Sequence, residues 1–362
     1  MPKIYLRSQI KTALTLAKLE RFRSRMNEWH KRGSAVAFEP ALDTTEAAPG
    51  KTVRARTVSG TAHSETGATA PWLLLPADRT YRLRIPEHTK NGDGIPLVVM
   101  IHGCRQSSEE FEQGTRIDAL ADSAGFAVLY AEQSTFANFR RCWNWFEPNT
   151  AAGDGECAIV IEMIRMARRH VKIDTSRIFI VGMSSGAALA GLIAFYHPDL
   201  IAGVAMHSGL PPLSSPSAAT AVLAMRNGAR IDIEALTESY WEVQTELPPP
   251  LMLIHGDADE RVHAQNATAM LKLWEALLSN APNGEAATIT RDEKNVGATA
   301  DTRGVTQTDL VRQGRIHARS MRVHGLGHAW SGGDDALEFN DAKGPDATTL
   351  IWKFLERQVR TT

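Results

Sequence analysis

From about residue 80 onward the chain alternates short apolar runs with longer stretches whose apolar residues recur at helical spacing. Residues 80–85 alternate polar and apolar and predict an edge strand. By contrast 97–101 (Leu-Val-Val-Met-Ile) and 178–181 (Ile-Phe-Ile-Val) are apolar at every position, as strands covered on both faces are. Further strands are predicted over 127–130, 204–206, 251–254 and 318–323, with helices over 111–123, 157–169, 185–196, 264–278 and 347–358. Strands alternating with helices imply a mainly parallel sheet with helices on both faces, an α/β fold whose ligands meet the carboxyl ends of the strands. Residues 210–250, ending Pro248-Pro249-Pro250, interrupt the rhythm and are expected to form a cap insertion.

Two segments precede this pattern. In residues 1–32 the bases Lys3, Arg7, Lys11, Lys18, Arg21, Arg23, Arg25, Lys31 and Arg32 face only Glu20 and Glu28. Leu6, Ile10, Ala13 and Ala17, then Leu19, Phe22, Met26 and Trp29, make an apolar stripe, so a basic amphipathic helix is predicted. Such a helix packs on the main domain or a sister subunit, or seeks an anionic or apolar surface such as a lipid-coated granule; a transit peptide is a third reading. Residues 33–71 are rich in Ala, Thr, Gly and Ser without sustained period and read as a flexible linker, so the catalytic domain is expected over 72–362.

Composition narrows the classes. The chain has 362 residues, 43% of them hydrophobic, and a net charge of −1, which suits one large α/β domain with something appended. Neither the charge nor any motif favours nucleic acid, no apolar run reaches the ~18 residues of a membrane span, and no secretory h-region is evident, so a cytoplasmic address is expected. Cys104, Cys142 and Cys157 are too few for a disulfide framework and lack metal-ligand spacing; no metal and no organic cofactor is expected.

The chemistry centres on Gly182-Met183-Ser184-Ser185-Gly186, between the strand at 178–181 and a helix over 185–196. This G-x-S-x-G pattern fits a strand-to-helix elbow that lifts a nucleophilic hydroxyl above a sheet edge, with the helix start aiming N–H groups at an oxyanion. A serine needs a base and an orienting acid. In the order Ser, Asp, His, the acid is Asp259, with Asp257 as rival, and the base is His328 in the loop 325–330, with His324 as rival. The oxyanion donors are expected to be the backbone N–H groups of Ser185 and Cys104. Trp143, Trp145 and Trp330 either line a substrate pocket or pack in the core beneath the loops.

Taken together, His102-Gly-Cys-Arg-Gln106, Arg141-Cys-Trp-Asn-Trp-Phe146, the elbow, His255-Gly-Asp-Ala-Asp259 and Gly325-Leu-Gly-His-Ala-Trp-Ser-Gly-Gly333 resemble the poly(3-hydroxybutyrate) depolymerase-type esterases of the α/β-hydrolase superfamily. The resemblance covers about residues 75–358 and implies an α/β-hydrolase fold with a Ser184, Asp259, His328 triad acting on a carboxylic ester. It implies hydroxyalkanoate polymer or oligomers as the leading substrate, with residues 1–32 as the anchor to a polyester granule and feruloyl or acetyl esters of carbohydrates as the alternative. A granule-binding protein that keeps the hydrolase domain without turnover is the non-enzymatic alternative. The resemblance also implies a Cys104–Cys142 disulfide, whereas a cytoplasmic address favours free thiols. Secreted members carry an export signal and a polymer-binding module, and neither is recognised in this sequence.

Overall fold

The computed structural model describes residues 55–64, 78–87, 94–282 and 288–360. Its centre is the all-apolar run predicted at 97–101, which forms β3 (Ile95–Ile101) with every residue buried. On one side β3 pairs with β4 (Ala127–Ala131), on the other with β5 (Ile173–Met183), both parallel. β6 (Gly203–His207), β7 (Leu251–Gly256) and β10 (Arg315–Val323) follow outward from β5, again parallel. The period-2 geometry of strands assigns the two faces. Leu97, Val99 and Ile101 face one apolar layer with α4 (Glu156–Ala167), α5 (Ser185–Tyr196) and α8 (Gln265–Ser279). Val98 and Met100 face the other, with α1 (Ser108–Thr115), α2 (Ile117–Ala124) and α9 (Ala347–Leu355). α5 is buried along its whole length, which is why its sequence is apolar on all sides.

Antiparallel strands extend both flanks, giving a ten-stranded sheet among the described residues. β2 (Asp78–Ile85) pairs with β4, and β1 (Arg56–His63) pairs with β2. Residues 78–85 are therefore not an edge, and part of the stretch expected as linker is a strand. β1 escaped notice because its side chains are mostly exposed and it carries little apolar pattern; its order comes from backbone pairing with β2. Gly60 marks the contact, since a Cβ there would lie 2.5 Å from Tyr81 Oη. At the opposite flank β9 (Val305–Arg312) and β8 (Ile289–Val296) continue the sheet beyond β10. The charged, exposed β8 gave no strand signal.

The helix predicted over 111–123 is two helices. Arg116, at φ 55°, closes α1 with its N–H on Glu112 O and sends its guanidinium to Gly332 O. The insertion at 210–250 carries α6 (Ala218–Asn227) and α7 (Ile233–Val243). α6 lies near the strand ends, where Met225 O accepts from His263 N–H. α7 does not: Trp241 Nε1 donates to Leu277 O and Gln244 Nε2 to Tyr196 O, at the far ends of α8 and α5. Half of the expected cap thus packs along the flank. A short α3 (Pro148–Ala151) and the paired β11 (Trp330–Ser331) and β12 (Asn340–Asp341) complete the described elements. The basic helix expected at 1–32 and most of 33–71 lie outside the described residues. No helix among the described residues is long and apolar enough to cross a membrane.

Candidate active site

Ser184 stands between β5 and α5 with φ 56° and ψ −119°, a left-handed conformation that a non-glycine residue keeps only under constraint. The constraints are close on every side. Ser184 N–H donates to His207 O at 2.9 Å, and a Cβ on Gly186 would lie 2.2 Å from Ile101 O, so no larger residue fits between the elbow and β3. The elbow therefore holds the serine where β5 gives way to the helix that stacks on its neighbours.

Asp259 and His328, the expected acid and base, lie on loops after β7 and β10. His328 Nδ1 donates to Asp259 Oδ2 at 2.8 Å, which leaves Nε2 with its lone pair. Asp259 Oδ1 accepts from Arg261 N–H at 2.9 Å and Val262 N–H at 2.8 Å, and His255 Nε2 lies 3.5 Å from Oδ2 while also bonding Val262 O. Burial works to raise the Asp259 carboxyl, but the hydrogen bonds from His255 and His328, the histidine charge and the Val262 amide outweigh it and hold the group well below the usual carboxylate range. The two rivals sit elsewhere. Asp257 accepts from Gly325 N–H at 2.6 Å, bracing the base loop, and exposed His324 meets Thr306 Oγ1 at 3.0 Å.

The loop after β3 completes the arrangement. Gln106 Oε1 takes Gly103 N–H at 2.9 Å, and Gly103 lies so close to the elbow that a Cβ on it would be 3.3 Å from Ser184 Cβ. With Gly103 N–H occupied, Cys104 N–H and Ser185 N–H remain without hydrogen-bond partners among the described residues. Ser185 Oγ sits 3.4 Å from Cys104 Sγ and accepts from Trp143 N–H at 3.3 Å. Cys104 is joined to Cys142 in a disulfide, and Cys157 is a buried thiol raised well above its ordinary value by burial. These are the kinds of group that acyl transfer through a serine uses: a serine hydroxyl on a strained elbow, a histidine oriented by a carboxylate and two unpaired backbone N–H groups.

Against known proteins, the family model described as esterase PHB depolymerase matches residues 80–296, well over half of the chain. The chain belongs to this esterase family. Poly(3-hydroxyalkanoate) depolymerase C of Paucimonas lemoignei is 30% identical over 190 residues, covering 51% of this chain and 46% of that protein. A probable acetylxylan esterase A of Aspergillus fumigatus is 26% identical over 249 residues, covering 66% of this chain and 65% of that one. The chain thus spans about half to two thirds of the length of these relatives. Among solved structures, an acetyl xylan esterase from Aspergillus awamori superposes with a TM-score of 0.60 at 17% identity, over 83% of this chain and 99% of that one, a likeness of fold.

In this member of the family the three tryptophans expected at a pocket are packed away, at 0% (Trp143), 4% (Trp145) and 1% (Trp330) exposure. Trp330 stacks on His207 and meets Phe111 edge-on, with its Nε1 on Thr348 Oγ1. They belong to the apolar layers of the core, Trp143 and Trp145 to one and Trp330 to the other. Two supports were not evident in the sequence. His207, at the end of β6, gives its carbonyl to Ser184 N–H and accepts Ser331 N–H on Nε2 at 3.2 Å, tying the elbow to the base loop. Burial, with the charges of His255 and His328, lowers it to about 3 against the pull of Asp259, so the ring is neutral and Nε2 can accept. Glu156, fully buried, pairs with Arg79 at 3.1 Å and accepts Asn144 N–H at 2.6 Å, fixing the loop that carries Cys142. A histidine after a parallel strand end was the available signal for His207; nothing local marks Glu156.

Proposed function

We propose that the chain is a serine carboxylic-ester hydrolase acting through an acyl-enzyme on hydroxyalkanoate polyester or its oligomers. In this reading His328 Nε2 takes the Ser184 proton, Ser184 attacks the ester carbonyl, and the alkoxide oxygen develops its charge against Cys104 and Ser185 N–H. His328 then protonates the leaving alcohol. Water, deprotonated by the same imidazole, releases the acid and restores Ser184. Asp259 stays ionised and holds the imidazolium that forms in each half-reaction.

The observation that carries the reading is the Asp259–His328 hydrogen bond at 2.8 Å, on loops following β7 and β10 in the chain order that begins with the strained Ser184. Polyester is favoured by the depolymerase relative, and a carbohydrate-ester reading by the acetylxylan esterase relatives and by a feruloyl esterase B of Neurospora crassa at 26% identity over 192 residues. Hydrolysis of short p-nitrophenyl esters by wild type and Ser184→Ala, followed by 3-hydroxybutyrate trimer and by acetylated and feruloylated sugars, separates these readings. Turnover surviving Ser184→Ala overturns the mechanism, and activity confined to sugar esters selects the second substrate class. The Cys104–Cys142 disulfide supports an oxidising compartment over the cytoplasmic address expected from the sequence.

A further inference from the structure

Beyond the reacting groups, the mouth of the site holds an arrangement of charge that ester cleavage does not need. Arg105 directly follows Cys104, and Arg261 lies two residues past Asp259, so one guanidinium comes from each side of the chemistry. Glu338 joins them: its Oε2 is 3.2 Å from Arg105 Nη2 and its Oε1 4.0 Å from Arg261 Nη2. Phe339 forms the floor, with Arg105 Cζ 5.8 Å and Arg261 Cζ 5.0 Å from the ring centroid. The same ring meets His328 edge-on at 6.2 Å. Arg105 (φ 66°) and Phe339 (φ 65°) are both held left-handed, and Arg105 N–H is fixed on Arg140 O at 2.7 Å, so the backbone keeps these side chains at the mouth.

We propose that Arg105 and Arg261 form a carboxylate-binding subsite, occupied in the unliganded protein by Glu338, which receives the free carboxylate of a hydroxyacid ester oligomer. The inference rests on the ester-hydrolase reading and deepens it by naming the residues that hold the substrate's charged end. Glu338 already demonstrates the geometry, with each carboxylate oxygen turned to a different guanidinium. Within this cluster two positive charges meet one negative charge. Arg105, Arg261 and Glu338 side chains are each about half exposed, at 53%, 54% and 54%, and solvent-exposed pairs of this kind hold weakly, so an incoming carboxylate can displace the internal one. A hydroxyacid oligomer carries such a group at its acid end, whereas neutral acetyl or feruloyl sugar esters carry none.

The test compares kcat/KM for 3-hydroxybutyrate trimer as the free acid and as its methyl ester. Wild type is expected to favour the acid about tenfold, as charge-assisted pairing of this kind allows, and to lose that preference near 1 M salt, where the screening length is about 3 Å. Arg105→Gln/Arg261→Gln should bring the ratio to about one, through KM. Glu338→Gln, which removes the internal competitor, should raise the preference for the acid; a clasp that merely held the loop would leave the ratio unmoved in both variants. Equal rates on acid and methyl ester in wild type, or a preference that survives the double arginine change, overturns the subsite. p-Nitrophenyl butyrate run in parallel distinguishes the two levels. Wild type active on it without acid preference loses only the subsite, and wild type inactive on every ester loses the hydrolase reading as well.

Discussion

His207 shows how much of this site depends on a group that touches no reacting atom in the proposed mechanism. Its neutral ring accepts Ser331 N–H, and its folded value near 3 lies below the ordinary 6.5, so between those values the unfolded chain binds a proton that the folded chain refuses. The stability this ring contributes is complete above about pH 6.5 and is lost as pH falls toward 3, at up to about 1.4 kcal/mol per pH unit. Asp259, depressed in the fold, adds its own loss only below the usual carboxylate value near 4. Urea unfolding between pH 6.5 and 4.5 should therefore show a shallower slope for His207→Gln than for wild type, and an unchanged slope would assign the proton to another group. At Asp259 the expected effect is on rate: Asp259→Asn keeps the shape but loses the anion, so kcat on p-nitrophenyl butyrate should fall on the order of 10⁴-fold. The elbow at Ser184 and the pairing of Asp259 with His328 were legible because the serine motif and its chain order call for those residue types after those strands. His207, Gln106 and Glu156 were not, since their roles exist only once distant loops meet.

Elements differ in the same way. β3 and α5 could be read directly because burial on every side writes itself as unbroken apolar sequence. The break at Arg116 could not, because it is set by Gly332 O, more than two hundred residues away. The loop bearing Cys142 is held by two devices, and each makes a prediction. Glu156 and Arg79 are both fully buried, so Glu156→Leu should destabilise the protein by about 3–5 kcal/mol by removing the carboxylate that the buried guanidinium faces, measurable as a lowered urea midpoint. The Cys104–Cys142 bond reaches the oxyanion loop itself. Since a whole oxyanion donor is worth about 10²–10³ in kcat, partial loosening of Cys104 N–H should cost up to about tenfold. Cys104→Ser/Cys142→Ser, or wild type after reduction, should show that fall in kcat for p-nitrophenyl butyrate; full activity in both would separate the bond from the oxyanion donor.

At the scale of the whole molecule, the parallel block from β4 to β10 followed from the strand-helix alternation, while of the antiparallel flanks only β2 was foreseen, as a strand over 80–85. β1 and β8 have largely exposed side chains, so neither carries the apolar pattern that announces a strand. The family match ends at residue 296, short of β9, β10, His328 and α9. A version cut there should be inactive and poorly soluble, because β7 would become a bare edge and the layer beneath α9 would lose its cover; soluble, active protein from that version would show that His328 is dispensable. The position of β10 outside β7 also sets a timetable. During synthesis the chain emerges amino end first, so the strands bearing Ser184 and Asp259 can assemble while the segment holding the base is still inside or near the ribosome. Under the proposed mechanism a nascent chain therefore carries a serine with no partner to take its proton, and competence arrives only when β10 and the loop after it join.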